Sequence, residues 1–191
     1  MTMARPTSSQ TIGPFFHRAL VAEDWSRLAS ERTAGERIAI TGRVVDGDGL
    51  PVSDAMIEIW QANAYGRYNH PDDTNEARID PTFRGFGRCA TDESGRFRFA
   101  TIKPGAVPGN DGRLQAPHIG VVAFARGLLK HLHTRIYFPD EPLNRSDEWL
   151  NAVPDDRRAT LIALESGAGT ERVFNFDIVL QGDRETVFFD F

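Results

Sequence analysis

The sequence predicts an all-β sandwich of about eight strands, with short helices added. About eight short apolar stretches alternate with the period of two that suits strands. Gly- and Pro-rich turns separate them, and few segments keep helical spacing. The 191 residues, 40% hydrophobic and 26% charged, suffice for one domain with a core that needs no disulfide or metal staple. Residues 1–191 are therefore read as a single domain, with 1–18 as an irregular N-terminal arm.

In chain order, Thr11-Ile12-Gly13-Pro14-Phe15-Phe16-His17 joins a turn signal to two large rings, which an arm without a period of its own must lay on something. Residues 20–30 suit a short helix. From Arg37 the pattern becomes β: Ile38, Ile40 and Val44 share a face, with Gly42 interrupting. Asp46-Gly47-Asp48-Gly49 reads as a turn, because Gly and Asp tolerate positive φ. Residues 55–63 form a second strand, with Ile57 and Ile59 on one face. Residues 63–87 are a long Gly/Asn/Asp/Pro loop, a length that is uncommon in compact domains and often functional. Residues 88–91 and 96–100 suit a hairpin around 92–95, with Phe97 and Phe99 inward and Arg96 and Arg98 outward. Strands follow at 119–125, 132–138, 173–180 and 186–189. In the third of these, Phe174, Phe176, Ile178 and Leu180 share a face. Residues 155–165 have helical spacing, with Asp155 and Asp156 where the helix dipole favours acids.

Composition excludes several classes. Lys+Arg 22 against Asp+Glu 27 gives a net charge of −5, a poor footprint for nucleic acid. No apolar run approaches the ~20 residues that span a bilayer, so no membrane role is expected. Residues 1–14 hold no apolar signal core, and a lone Cys89 forms no internal disulfide; both fit a cytoplasmic location. Cys89 has no identifiable base partner and reads as filler. Of the 22 basic residues only Lys103 and Lys130 are lysine. Arginine suits protein contacts, though a GC-rich genome produces the same bias. No phosphate-binding loop, nucleophile elbow or C-x-x-C pair occurs.

Histidines are the natural place to look for a metal. His131 and His133 sit two apart in or beside a strand and share a face, and His118 lies upstream on the neighbouring strand. A self-sufficient metalloenzyme using His118, His131 and His133 is one reading. The competing one has these rings packed and hydrogen-bonded. A prealbumin-like binding module without enzymatic activity is a further alternative.

An ordered set of motifs is more specific. It comprises Ile59-Trp60-Gln61-Ala62-Asn63-Ala64-x-Gly66-Arg67-Tyr68, Gly87-Arg88, Thr91-Asp92-x-x-Gly95, Ile102-Lys103-Pro104-Gly105 and Ala116-Pro117-His118-Ile119. Together these resemble the intradiol ring-cleavage dioxygenases. The arm motif Ser9-Gln10-Thr11-x-Gly13-Pro14-Phe15, the segment from Phe124-Ala125-Arg126-Gly127 to His131-Leu132-His133-Thr134-Arg135, and the run from Phe176 to Phe191 resemble the alpha-type chain of two-chain members.

The resemblance implies an oxidoreductase that cleaves an aromatic ring between two hydroxyl-bearing carbons, inserting both atoms of O₂. It also implies Fe(III) held by two tyrosinates and two histidines, hard donors for a hard ion. The matching positions are Tyr68, Val107, His118 and Gly120, so two of the donors are replaced by side chains with no donor atom. The implied arrangement places Fe(III) in a homologous beta chain that keeps all four ligands, within a larger oligomer of αβ units. This chain then has no catalytic residue or metal of its own. It lines the partner's pocket for 3,4-dihydroxybenzoate through Thr11, Gly13, Pro14, Phe15 and Arg126, the last near the substrate carboxylate.

Overall fold

The computed structural model describes residues 11–13, 16–109, 112–166 and 172–190. Its strands are β1 (Arg37–Val45), β2 (Met56–Trp60), β3 (Phe86–Ala90), β4 (Arg96–Ile102), β5 (Val107–Pro108), β6 (Leu114–Gln115), β7 (His118–Phe124), β8 (Leu132–Tyr137), β9 (Leu164–Ser166), β10 (Arg172–Asn175) and β11 (Ile178–Val179). Short helices α1 (Phe16–Ala19), α2 (Glu148–Ala152) and α3 (Asp155–Arg158) are accessory. Among the described residues no helix is long and apolar enough to cross a membrane.

The apolar alternation builds two facing sheets. In the first, β1 pairs antiparallel with β4 on one edge and parallel with β10 and β11 on the other, and β9 extends β10. The second runs β3-β2-β7-β8, all antiparallel. Between them lies one core: Ile38, Ile40, Val44, Phe97, Phe99 and Phe174 from the first sheet meet Ile57, Ile59, Ile119, Val121 and Ile136 from the second. Phe138 meets Phe174 edge to face, ring centres 4.9 Å apart. Each fully buried side chain of this size contributes about 1.5–3 kcal/mol. The all-β sandwich is therefore the observed architecture, and Phe97 and Phe99 point inward while Arg96 and Arg98 are exposed.

Five expectations need correction. The turn at 92–95 forms: Asp92 Oδ1 accepts from the amides of Ser94 and Arg96, and Gly95 takes positive φ. Yet β3 and β4 are not a hairpin, because β3 pairs with β2 and β4 with β1, so this turn carries the chain from one sheet to the other. The expected strand at 173–180 is broken between β10 and β11. There Phe176 N–H donates to the Thr41 carbonyl at 2.7 Å and Arg43 N–H to Asp177 Oδ1 at 2.9 Å. Gly42 permits this approach: a Cβ there would stand 1.9 Å from the Phe176 carbonyl oxygen. The inward face of 173–180 nevertheless holds, with Phe174, Phe176 and Ile178 buried. Residues 186–189 form no regular strand; Phe189 makes an isolated bridge to His133. The helical patterns at 20–30 and 155–165 shrink to a 3-10 turn (Glu23–Ser26) and to α3 with a 3-10 turn (Ala159–Leu161), after which the chain turns extended.

Candidate functional site

The second sheet turns Ile57, Ile59, Ile119, Val121 and Ile136 into the core, so Trp60, His118, Gly120, His133, Arg135 and Tyr137 lie on its other face. Register sets the rows. Gly120 is flanked by Trp60 on β2 and Arg135 on β8, and His118 pairs with Tyr137.

The long loop after β2 folds back over this face. Asn63 Oδ1 accepts from the amides of Tyr65 and Arg67, and Asp73 Oδ2 accepts from the Tyr68 amide at 2.7 Å. Gly66, at φ +77°, lies so close to the β5 approach that a Cβ would stand 1.9 Å from the Ala106 carbonyl oxygen. That contact brings the Tyr68 loop against Val107. Both line a cleft of about 300 Å³ with Asp72, Asp73, Thr74 and Asn75. The Tyr68 ring stacks on Trp60 at 5.9 Å and an interplanar angle of 6°. Burial pushes its phenol up, Arg135 opposes the shift and Asp73 adds to it.

His118 is 6% exposed. Its Nδ1 lies 2.8 Å from the Ala116 carbonyl. A carbonyl only accepts, so Nδ1 carries the hydrogen and Nε2 keeps its lone pair. Burial first, and then the Arg135 charge, hold its pKa down at about 4, so the ring is neutral near pH 7. Tyr137 donates to Asp147 Oδ1 at 2.9 Å, and burial pushes its phenol up. Asp147, fully buried, also accepts from the amides of Ala116 and Leu150.

Of the four positions matched to the family's ligands, Tyr68 and Val107 share the cleft, and His118 and Gly120 share the sheet face with Trp60, on which Tyr68 stacks; their chemistry does not fit a ferric ion. Val107 and Gly120 offer no donor, which leaves one phenol and one imidazole. Among the described residues no group of three or more His, Cys, Asp or Glu could supply the rest. The metal reading built on His118, His131 and His133 also fails on geometry. His133 pairs with Val122 and His118 with Tyr137, four residues along the same ladder, or about 13 Å. His131 and His133 pack on each other at 4.7 Å, beside Phe124. Cys89 is held protonated, its pKa pushed up by burial to about 12.

A second locus gathers the arm and Arg126. The Thr11 hydroxyl lies 3.4 Å from the Ala125 carbonyl and accepts from the Gly127 amide at 3.2 Å, so the arm docks on both sides of Arg126. Gly13 is open, with nothing within 4 Å of a Cβ placed there. Pro14 and Phe15 lie outside the described residues. The Arg126 side chain is well exposed and its guanidinium is paired with Asp54, a partner that sequence order gives no reason to expect.

Residues 11–182 match a family model described as Dioxygenase. The chain belongs to the intradiol ring-cleavage dioxygenases. It is 41% identical to the protocatechuate 3,4-dioxygenase alpha chain of Pseudomonas putida, over 97% of this chain and 96% of that one. It is also 46% identical to the beta chain of that enzyme from Burkholderia cepacia, over 78% of this chain and 66% of that one. Among solved structures, the dioxygenase domain of a carbohydrate-binding fusion from Streptomyces sp. SirexAA-E superposes with a TM-score of 0.63 at 30% identity, covering 92% of this chain and 98% of that domain. The family thus accounts for the Gly66-x-Tyr68 and Lys103-Pro104-Gly105 motifs, which meet where the Tyr68 loop crosses the approach to β5. Asp147 carries no such motif signal, and Arg135 closes the His131-to-Arg135 segment without any role assigned to it there. Arg135 stands out only once the pairing of its strand with Gly120 is known.

Proposed function

We propose that this chain is the iron-free alpha-type subunit of a heteromeric protocatechuate 3,4-dioxygenase. An iron-bearing beta chain supplies the ferric ion and its four ligands. This chain completes the substrate pocket through Thr11, Gly13, Pro14, Phe15 and Arg126. The complex cleaves 3,4-dihydroxybenzoate between its hydroxyl-bearing carbons, with both atoms of O₂ entering the product 3-carboxy-cis,cis-muconate. The full-length likeness to an alpha chain supports the subunit role, and the donor-free Val107 and Gly120 support the absence of iron.

The observation that carries the pocket reading is the Thr11 hydroxyl seated between Ala125 and Gly127. It brings two segments 114 residues apart to one place, with Arg126 between its contacts. A cation there favours the end of the substrate that carries a carboxylate.

The test uses the complex reconstituted with an iron-bearing beta chain. Arg126→Ala removes a charge-assisted contact worth about 1.5–3 kcal/mol, or roughly 10- to 100-fold in kcat/KM for the carboxylated catechol. Plain catechol, with no carboxylate, should lose little. Equal losses on the two substrates at unchanged iron content would refute the pocket role. This chain purified alone should be colourless and poor in iron, and a visible tyrosinate-to-iron band with stoichiometric metal would refute the iron-free reading.

A further inference from the structure

We propose that the guanidinium of Arg135 is the resident cation of this degenerate centre and occupies the place that a metal ion would need. Both vacated donor positions face it. Across the strand pair, Arg135 lies opposite Gly120, whose missing side chain leaves room on that face of the sheet. At the other end, Arg135 Nη1 donates to Gln115 Oε1 at 2.9 Å, and Gln115 is the cross-strand partner of Val107. Its guanidinium also lies 4.5 Å from the Trp149 ring centre. These partners are neutral, and no carboxylate among the described residues pairs with the guanidinium. Its charge acts on Tyr68, His118 and Tyr137 together, against Asp73 at Tyr68 and against Asp147 at the other two.

The surviving relics are otherwise well placed. His118 keeps its Nδ1 bound to a carbonyl and its Nε2 lone pair free, the arrangement in which an imidazole ligates. A Cβ at Gly120 would stand 3.3 Å from the Trp60 carbonyl oxygen, a tight contact that a small shift relieves. A side chain at Gly120 is thus sterically feasible, and Arg135 is the obstacle on that face of the sheet. A fixed positive charge opposes a second cation at the same place, and its fork holds Gln115 beside the position of the second phenolate.

This inference rests on assigning Val107 and Gly120 to the vacated ligand positions. It does not depend on a partner chain, so its failure leaves the subunit reading standing. The experiment compares two variants of the full chain, Val107→Tyr/Gly120→His and the same pair with Arg135→Leu added. Each is loaded with ferric ion under one protocol. Iron per chain is measured, along with the visible tyrosinate-to-iron band, and circular dichroism confirms the fold. The double variant should stay iron-poor, and the triple variant should hold at least about tenfold more iron and show the band. Stoichiometric iron in the double variant would overturn the proposal, and so would a folded triple variant no richer in iron than the double. Should the triple variant fail to fold, Arg135→Lys in the same background keeps the charge while losing the fork. That variant should remain iron-poor, and iron loading in it would overturn the proposal too.

Discussion

His118 makes stability depend on pH in a way that can be worked through. Its ring is buried and neutral, held down at about 4, whereas in the unfolded chain it titrates near the ordinary value of 6.5. Between these values the unfolded state binds a proton that the folded state refuses. The contribution of the neutral ring is therefore complete above about pH 7 and is lost as pH falls toward 4. Each tenfold difference in proton affinity between the two states is worth about 1.4 kcal/mol, so the loss is about 2 kcal/mol between pH 7.5 and 5 and about 3 kcal/mol by pH 4. The perturbation is His118→Gln, which does not titrate. Urea unfolding of both chains is measured in half-unit pH steps over this range, and the difference in unfolding free energy is plotted against pH. Groups common to both chains cancel in that difference. It should shrink by about 2 kcal/mol on acidification from pH 7.5 to 5. A difference flat in pH would show that His118 is not a buried neutral group.

Three further predictions follow from single contacts. Asp147→Ala strips the acceptor from the Tyr137 hydroxyl and the Ala116 and Leu150 amides and removes the cap of α2, so urea unfolding should show a loss of about 3–5 kcal/mol; a loss under about 1 kcal/mol would contradict the buried hub. Gly42→Ala places a methyl against the Phe176 carbonyl and should cost about 2–3 kcal/mol in the same assay, since the break between β10 and β11 must open; a neutral result would mean that the two backbones do not approach so closely. Asp54→Asn removes the carboxylate that competes for Arg126 and should change stability by less than about 1 kcal/mol while lowering KM for the carboxylated catechol in the reconstituted complex; an unchanged KM would separate Arg126 from substrate binding.

What could be read from the sequence was whatever depends on neighbours in the chain. The strict alternation at residues 96–99 put Phe97 and Phe99 in the core, because side chains on a strand change face at every residue. The turn at Asp46 formed as expected, with Oδ1 accepting from the Asp48 and Leu50 amides. What could not be read was partnership across the chain. The turn at 92–95 looks the same whether the flanking strands pair with each other or pass to different sheets, and only the long β1–β4 ladder decides that. Gly42 and Phe176 lie far apart in sequence, so the break in the 173–180 strand has no local signal. The candidate site divides in the same way. Motif order located Tyr68, Val107, His118 and Gly120. Arg135 acquires meaning only when β8 is laid against β7, and Asp54 only when its loop reaches Arg126.

On the proposed iron-free reading, contacts other than the donor positions hold the centre. The Tyr68 loop is fixed by Asn63 and Asp73 bonded to backbone amides, by the close passage of Gly66 over Ala106, and by Asp80 accepting from the Ala34 amide. The His118 end is fixed by Asp147, which ties β8, α2 and the start of β7 into a second small core with Leu150, Val153 and Leu161. These bonds involve side chains and backbone groups that are not donor positions, so Val at 107 and Gly at 120 leave them intact. Replacing the donors would then leave the fold in place, because these contacts hold the loops through backbone satisfaction and burial. A chain in which that separation holds can lose its own metal chemistry while its outer surface, including the Thr11–Arg126 locus at the far end of β7, keeps its shape.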